Sequence, residues 1–314
     1  MILCIQIPCF NEAATLHQTL ADLPRSVPGF TQVLVVVIDD GSSDGTADVA
    51  RAQGAHVVVN RRNLGLAQTF MRGLEECLRL GADVIVNTDA DNQYCAADIP
   101  LLTAPILDGR ADMVIGARPI AHIAHFSPVK KLLQRLGSAV VRRLSGTSVP
   151  DAPSGFRAFS KRAAVQLNVF TNYTYTLETL IQAGQKRLAV TSVPIRTNPQ
   201  TRPSRLVRSS FDYICRSLLT MLRIAVIYRP LRLFVSLGVL CSLVGLAICL
   251  RFTWHWSQGQ GQGMVQSLIA GALAIGIGAH CIMMGVIADL IATNRKLLEK
   301  IDLRFNSQDR RPEG

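Results

Sequence analysis

Residues 33–46 read VLVVVIDDGSSDGT, and this stretch decides the fold. A continuous apolar run, residues 33–38, ends in two adjacent carboxylates, Asp39 and Asp40, and a glycine-rich turn follows them. An apolar run of this kind is typical of a strand in a parallel sheet that is covered by helices on both faces. Asp44 can cap the helix that follows. The stretch therefore predicts a strand, turn and helix of an α/β domain, with acidic side chains at the carboxyl end of the strand.

The same alternation extends on both sides of this stretch. The predicted strands are residues 3–8, 33–39, 56–60, 83–88 and 112–117. The predicted helices are residues 14–23, 44–53, 64–80, 98–107 and 128–144. Strands and helices in alternation predict a doubly wound α/β domain with a mostly parallel sheet, which binds its ligand beyond the carboxyl ends of the strands.

Two long apolar segments lie near the carboxyl terminus. Residues 233–250 carry no formal charge, and residues 264–288 contain only His280 and Cys281 as ionisable side chains. Both are long enough to cross a bilayer, whereas two helices buried in a soluble core would rarely be this long without a polar face. Lys and Arg lie on their outer flanks, so the positive-inside rule predicts a multi-pass protein with its catalytic domain and both termini in the cytoplasm.

The net charge of +11 over 314 residues is concentrated before the first apolar segment. Residues 202–232 carry seven arginines and one acid, with apolar residues at helical spacing, a pattern typical of a helix on an anionic membrane surface. Because this charge lies next to the apolar segments, we expect a lipid bilayer as partner and no nucleic acid. The predicted organisation is an α/β domain at 1–200, an interfacial segment at 201–230, transmembrane helices at about 231–251 and 264–290 within 231–292, and a basic tail at 293–314.

Two acidic clusters are the candidate site residues. Asp39 and Asp40 can accept hydrogen bonds from a nucleotide base or ribose, and Gly41 allows close approach; a plain turn and helix cap would not account for two adjacent acids. Asp89 and Asp91 lie two residues apart and can present oxygens to Mg²⁺ or Mn²⁺ on a diphosphate. An isolated Asp-x-Asp would be read as a solvated loop, but two such clusters at neighbouring strand ends favour a nucleotide-diphosphate site.

Several arginines are candidate phosphate ligands. Arg118 follows a predicted strand, and Arg157 follows a flexible glycine. A guanidinium can bind a phosphate through two hydrogen bonds, although for an isolated arginine a surface ion pair is the alternative.

With these residues assembled, residues 1 to about 230 resemble the GT-A catalytic domain of family 2 inverting glycosyltransferases, especially the dolichyl-phosphate mannose synthase and polyprenyl-phosphate glycosyltransferase branch. The matching motifs are P-x-x-N-E at Pro8, Asn11 and Glu12; D-D-G-S at 39–42; N-x-G at Asn63; D-x-D-x-Q at Asp89, Asp91 and Gln93; S-G-F-R at 154–157; and, more loosely, R-P-S-R at 202–205.

The resemblance implies roles for individual residues. The nucleotide-sugar would contact Pro8, Asn11, Glu12, Asp39, Asp40, Gly41, Asn63, Asp89, Ala90, Arg202 and Arg205. The metal, Mg²⁺ or Mn²⁺, would be held by Asp89, Asp91 and Gln93. Catalysis would use Asp91, Arg118 and Arg157, the two arginines placing the acceptor phosphate, with Asp151 as a further polar contact or base.

The implied reaction is sugar transfer, with inversion, from a GDP- or UDP-sugar (GDP-mannose, UDP-glucose or UDP-N-acetylhexosamine) to polyprenyl or dolichyl phosphate at the cytoplasmic membrane face. A phosphate monoester has a second pKa of about 6, so it is mostly ionised at neutral pH and needs no strong base. Two alternatives stay open. The first is a polysaccharide synthase-like enzyme that acts on a saccharide or glycolipid, which is disfavoured because no Q-x-x-R-W occurs around residues 178–186. The second is a non-catalytic scaffold. A homo-oligomer formed through the transmembrane helices is also predicted.

Overall fold

The computed structural model describes residues 1–119, 137–139, 141–143, 145–169, 175–199, 219, 222–223, 226, 230–259 and 265–309. The chain divides into two compact units, Met1–Leu218 and Leu219–Gly314. Most of the predicted interfacial segment at 201–230 and most of the predicted helix at 128–144 lie outside the described residues.

The first unit contains a seven-stranded sheet. Its strands are β1 (Ile2–Cys9), β2 (Gln32–Asp39), β3 (His56–Val59), β4 (Val84–Asn87), β5 (Met113–Ala117), β6 (Arg157–Ser160) and β7 (Val190–Pro194). Their order across the sheet is β3-β2-β1-β4-β6-β5-β7. Neighbouring strands are parallel except β6, which runs antiparallel to both β4 and β5. The prediction of a mostly parallel α/β sheet is confirmed.

Helices connect these strands. They are α1 (Ala13–Asp22), α2 (Thr46–Ala52), α3 (Leu66–Arg79), α4 (Ile99–Leu107), α5 (Lys161–Gln166) and α6 (Tyr175–Gln185), with a 3₁₀ turn at Ala96–Asp98 before α4. Strand β1 lies between β2 and β4 and is buried from Leu3 to Cys9, because helices cover both of its faces. This central position brings the loops after β1, β2 and β4 together at one edge of the sheet.

The short strand β6 is a feature that the sequence did not predict. It begins at Arg157, where the motif pattern indicated a phosphate ligand and no strand. It is only four residues long and begins with a charged side chain, so it lacks the apolar run by which the other strands are recognised. Strand β7 and helices α5 and α6 were not predicted either.

The second unit contains two long apolar helices, α7 (Pro230–Ser257) and α8 (Val265–Asp309). Their most apolar windows have mean hydropathies of 2.6 and 1.9, and only 11% and 17% of those windows is buried. Helices in a soluble core would be mostly buried. In length and composition both helices could span a membrane, and they coincide with the predicted spans at about 231–251 and 264–290, α8 continuing beyond its span.

Glycines line the contact between α7 and α8. A Cβ at Gly238 would lie 2.6 Å from the Gly278 carbonyl oxygen, and one at Gly245 would lie 2.6 Å from that of Gly271. From the first pair to the second, the position advances by seven residues on α7 and falls by seven residues on α8. The helices therefore pack antiparallel over two turns, with their backbones in close approach. The predicted homo-oligomer through these helices stays a prediction.

The glycine contact leads to a first prediction. Gly278→Val should weaken the helical pair by about 1–3 kcal/mol, because the new side chain would overlap the backbone of α7. The matched control is Gly276→Val, since a Cβ at Gly276 meets no atom within 4 Å. Thermal unfolding in detergent, followed by the fluorescence of Trp254 and Trp256 on α7, measures the difference. Equal melting of both variants would contradict the close packing.

Candidate functional site

A cleft of about 540 Å³ opens at the carboxyl edge of β1, β2 and β4. It is lined by Pro8, Cys9, Phe10, Glu12, Asp40, Asn63, Gly65, Leu66, Thr69, Asp89, Ala90 and Asp91. Residues from four separate sequence motifs therefore meet in one place, as strand topology predicts for the loops of neighbouring parallel strands.

The two adjacent carboxylates after β2 have different surroundings. Asp40 lines the cleft and accepts hydrogen bonds from Asn60 Nδ2 (2.7 Å) and from the backbone N–H groups of Leu64 (2.8 Å) and Gly65 (2.9 Å). Asp39 is 2% exposed, does not line the cleft, and accepts from the backbone N–H and hydroxyl of Ser42. Asp40 thus fixes the loop that carries Asn63, whereas Asp39 closes its own turn.

Asn11 and Gly41 shape the rim of the cleft. Gly41 has a φ of +75°, and a Cβ there would lie 3.0 Å from the Arg62 carbonyl carbon, so only glycine fits without strain. Asn11 also has a positive φ, 54°, and its Oδ1 accepts from the backbone N–H of Ser43 (2.9 Å). Asn11 therefore joins the loops after β1 and β2, and Gly41 lets the loop after β2 approach the loop after β3 closely. Neither residue is among the lining residues.

The carboxylates of the acidic loop, residues 89–93, face the same cleft. Burial, together with the charge of Asp91, raises the pKa of Asp89 to about 7. A divalent cation would relieve this repulsion and favour both ionised forms. Gln93 donates its backbone N–H to Asp91 Oδ1 (3.1 Å), and its side chain is not among the lining groups.

The donor set fits a hard cation that is shared with a ligand. Among the described residues there is no cluster of three or more His, Cys, Asp or Glu that could hold a metal ion. Asp89 and Asp91 would therefore supply two carboxylates, with the remaining oxygens coming from a diphosphate and water, as Mg²⁺ commonly requires.

Arg118 and Asp151 form a buried ion pair. Arg118 Nε donates to Asp151 Oδ2 (2.7 Å) and Nη2 donates to Oδ1 (3.0 Å), with side-chain exposures of 11% and 1%. The backbone N–H of Arg118 adds a contact to Oδ2 (3.2 Å). Asp151 has both oxygens engaged by a cation and is poorly suited to act as a base, while the Nη1 edge of Arg118 is not part of this pair.

Arg157, which was predicted to place the acceptor phosphate, is buried in the structure. Its side chain has no exposed surface. Nε donates to the Ser154 carbonyl (2.7 Å), Nη1 to the Thr176 carbonyl (2.7 Å) and Nη2 to the Ala152 carbonyl (2.5 Å). Burial lowers its pKa to about 10, so it stays charged at neutral pH. This guanidinium ties loop 151–157 to α6, which favours a structural role, and its predicted role at the acceptor phosphate stays a prediction.

Arg202 and Arg205 lie outside the described residues. The described chain that leads towards them is joined to the acidic loop, because Asn198 donates its backbone N–H to the Gln93 carbonyl (2.9 Å) and Tyr94 forms an isolated bridge with Thr197.

Sequence reasoning missed the buried polar groups behind the acidic loop. Asn87 Nδ2 donates to the Gly155 carbonyl (2.9 Å) and to Tyr175 Oη (2.8 Å), and Gln6 Nε2 donates to Asn87 Oδ1 (2.9 Å). Gln6 and Asn87 are polar residues inside apolar strands, and that contrast is the signal that could have indicated them.

The family assignment rests on the amino-terminal unit. The family model described as "Glycosyl transferase family 2" matches residues 4–167, more than half of the chain. The chain belongs to glycosyl transferase family 2. The fold of its first unit is GT-A.

Two relatives and one solved structure match this chain over most of their own length. Glycosyltransferase AglJ of Haloferax volcanii is 29% identical over 95% of this chain and 97% of that protein. The undecaprenyl-phosphate mannosyltransferase of Micrococcus luteus is 29% identical over 60% and 80%. Glucosyl-3-phosphoglycerate synthase of Mycobacterium tuberculosis, solved with Mn²⁺, UDP and glucosyl-3-phosphoglycerate, superposes with a TM-score of 0.55 at 23% identity over 70% and 79%.

Proposed function

We propose that this family 2 glycosyltransferase moves a sugar from a nucleotide-diphospho-sugar to a polyprenyl or dolichyl phosphate, with inversion at the anomeric carbon. The observation that carries the proposal is the cleft that Asp40 and Asn63 line together with Asp89 and Asp91. Two helices that could span a membrane, and relatives named for undecaprenyl and dolichyl phosphates, favour a lipid acceptor.

The donor would lie along this cleft. Asp40 already accepts from three N–H groups, so its remaining lone pair can receive one hydrogen bond from a base or ribose while it keeps the Asn63 loop in place. Pro8, Glu12 and Ala90 line the same cleft and would also contact the donor. A bound Mg²⁺ or Mn²⁺ would neutralise charge on the departing diphosphate. Asp89 and Asp91 would hold that cation.

The reaction would be a single displacement. An oxygen of the acceptor phosphate forms a bond to the anomeric carbon as the bond to the nucleoside diphosphate oxygen breaks, and the electron pair leaves with the diphosphate. Because Asp151 is ion-paired and the acceptor is already ionised, no base is required. Arg118, held by Asp151, would direct its Nη1 edge at a phosphate, and Arg202 and Arg205 would neutralise the leaving group.

The test of the donor and acceptor uses purified protein in detergent with Mg²⁺ or Mn²⁺, polyprenyl phosphate and radiolabelled UDP- and GDP-sugars. We expect label from one donor to enter the organic phase as an acid-labile product. If label instead enters a saccharide or glycolipid acceptor, the enzyme is of the polysaccharide synthase type. If no donor is turned over in protein that binds nucleotide, the scaffold alternative replaces the proposal.

We further propose that α7 and α8 cross a membrane with the GT-A domain and both termini on the cytoplasmic side. Arg and Lys flank the helical pair on its outer ends, and the exposed Trp254 and Trp256 lie near the end of α7 where interfacial aromatic residues are common. Fractionation with alkaline carbonate should leave the protein in the pellet, and protease added to inverted vesicles should cleave the GT-A domain. Protection of that domain would reverse the orientation.

A further inference from the structure

Gly155 lies next to the acidic loop and forms hydrogen bonds through both its N–H and its carbonyl group. Its backbone N–H donates to Tyr94 Oη (3.0 Å), and its carbonyl accepts from Asn87 Nδ2 (2.9 Å). A Cβ at this position would lie 3.0 Å from each carboxylate oxygen of Asp89. The Asp89 carboxylate therefore rests against the glycine backbone, and whatever fixes Gly155 also limits where that carboxylate can move.

Tyr94 is the group that contacts both partners. Its side chain is 4% exposed, and its ring stacks on Phe156 with centroids 5.1 Å apart and planes 13° from parallel. The hydroxyl oxygen accepts from Gly155, which leaves the hydroxyl proton for one acceptor. The Asp89 carboxylate is the acceptor beside it, because both carboxylate oxygens lie against the same glycine. Burial, the larger effect, raises the pKa of Asp89, whereas hydrogen bonding to Tyr94 lowers it. One hydroxyl thus bridges the metal-site carboxylate and the glycine beneath it.

The backbone of Tyr94 is fixed as firmly as its ring. Tyr94 forms a bridge with Thr197, and its carbonyl accepts from Asn198 Nδ2 (3.3 Å). Ring stacking on one side and backbone bonding on the other leave the hydroxyl little freedom to move away from Asp89. A buried hydroxyl that is held in this way costs little entropy when it orients a neighbouring carboxylate.

We propose that Tyr94 is a positioning residue of this glycosyltransferase, whose hydroxyl holds the Asp89 carboxylate in the orientation that binds the divalent cation of the metal–nucleotide complex. The inference rests on the proposed metal-dependent function. It adds to Asp89 and Asp91 an outer partner that touches neither metal nor substrate. Loss of such an outer hydrogen bond typically weakens metal binding by about 10- to 100-fold.

The test is Tyr94→Phe, which keeps the ring on Phe156 and removes only the hydroxyl. Tyr175→Phe is a matched control: Tyr175 is 1% exposed, stacks on Phe70 (3.9 Å, 8°), and its hydroxyl accepts from Asn87 beside the same glycine. The full-length variants in detergent are titrated with MnCl₂ in the presence of UDP or GDP, and free Mn²⁺ is followed by electron paramagnetic resonance. Metal-free nucleotide binding is measured separately.

We expect Tyr94→Phe to weaken Mn²⁺ binding by about tenfold, with metal-free nucleotide binding close to wild type, and Tyr175→Phe to change Mn²⁺ binding by less than about threefold. Each variant leaves a buried N–H donor without its hydroxyl acceptor, so both should melt slightly below the wild type and by similar amounts. An unchanged Mn²⁺ affinity in Tyr94→Phe, an equal loss in both variants, or no Mn²⁺ binding by the wild type would overturn the inference. Failure of the proposed function gives a different result: the wild type would bind Mn²⁺ and nucleotide but would not glycosylate polyprenyl phosphate.

Discussion

Replacing Asp91 with alanine should abolish sugar transfer, lowering kcat/KM by at least about a thousandfold, while the protein stays folded. Asp91 and Asp89 face the same cleft, and burial together with the charge of Asp91 raises the pKa of Asp89. Removing one of them relieves the repulsion between the two carboxylates, so we expect the melting temperature to stay at the wild-type value or to rise. Transfer assays and circular dichroism on the same preparation test both expectations.

Asp48→Ala is the matched control for this variant. Asp48 is exposed on α2, pairs with Arg51 (2.8 Å), and does not line the cleft. It should retain full transfer, since an exposed ion pair contributes little. Substantial turnover by Asp91→Ala at saturating Mn²⁺ would remove Asp91 from the proposed metal site.

Arg157→Met should unfold the amino-terminal unit more easily, at a cost of about 3–5 kcal/mol, which for a domain of this size is roughly a 10 °C fall in melting temperature. Methionine fills similar space but leaves the carbonyls of Ala152, Ser154 and Thr176 without the donors that they have in the core. Thermal unfolding in detergent, followed by circular dichroism, measures this loss.

The structural and ligand-binding interpretations of Arg157 predict different results. Arg162→Met serves as the control, because its side chain is 68% exposed and its contact with Asp112 spans 3.9 Å; we expect its stability to change by less than about 0.5 kcal/mol. If Arg157→Met melts like the wild type but fails to transfer sugar, the guanidinium acts on the substrate, as the sequence motif predicted.

The contrast between Asp89 and Arg157 shows how far the sequence could predict this site. Asp89 follows an apolar strand, and the carboxyl end of a strand in a parallel sheet is where ligands bind, so topology alone places its side chain at the cleft. Arg157 belongs to an equally recognisable motif, but whether its guanidinium meets solvent or core depends on β6 running antiparallel between β4 and β5. No local pattern of residues 154–160 indicates that pairing.

The two acids after β2 also have positions that the sequence could not predict. Their position next to each other in sequence predicted a joint role, yet Asp40 lines the cleft and Asp39 caps a turn through Ser42. Successive residues at a strand end point in different directions. The loop from Asn60 to Gly65 donates its hydrogen bonds to Asp40 and not to Asp39. That loop is distant in sequence from the turn that it completes.

The alternating α/β architecture, the two long apolar helices and the acidic clusters at strand ends could be predicted from the sequence, because each follows from periodicity, length and position along one segment of chain. The pairing of Arg118 with Asp151, the burial of Arg157 and the contact of Tyr94 with Gly155 could be seen only in the folded chain. Arg118 and Asp151, like Tyr94 and Gly155, are far apart in sequence, and the strength of these contacts comes from burial, which creates a low-dielectric environment that no local stretch of sequence encodes.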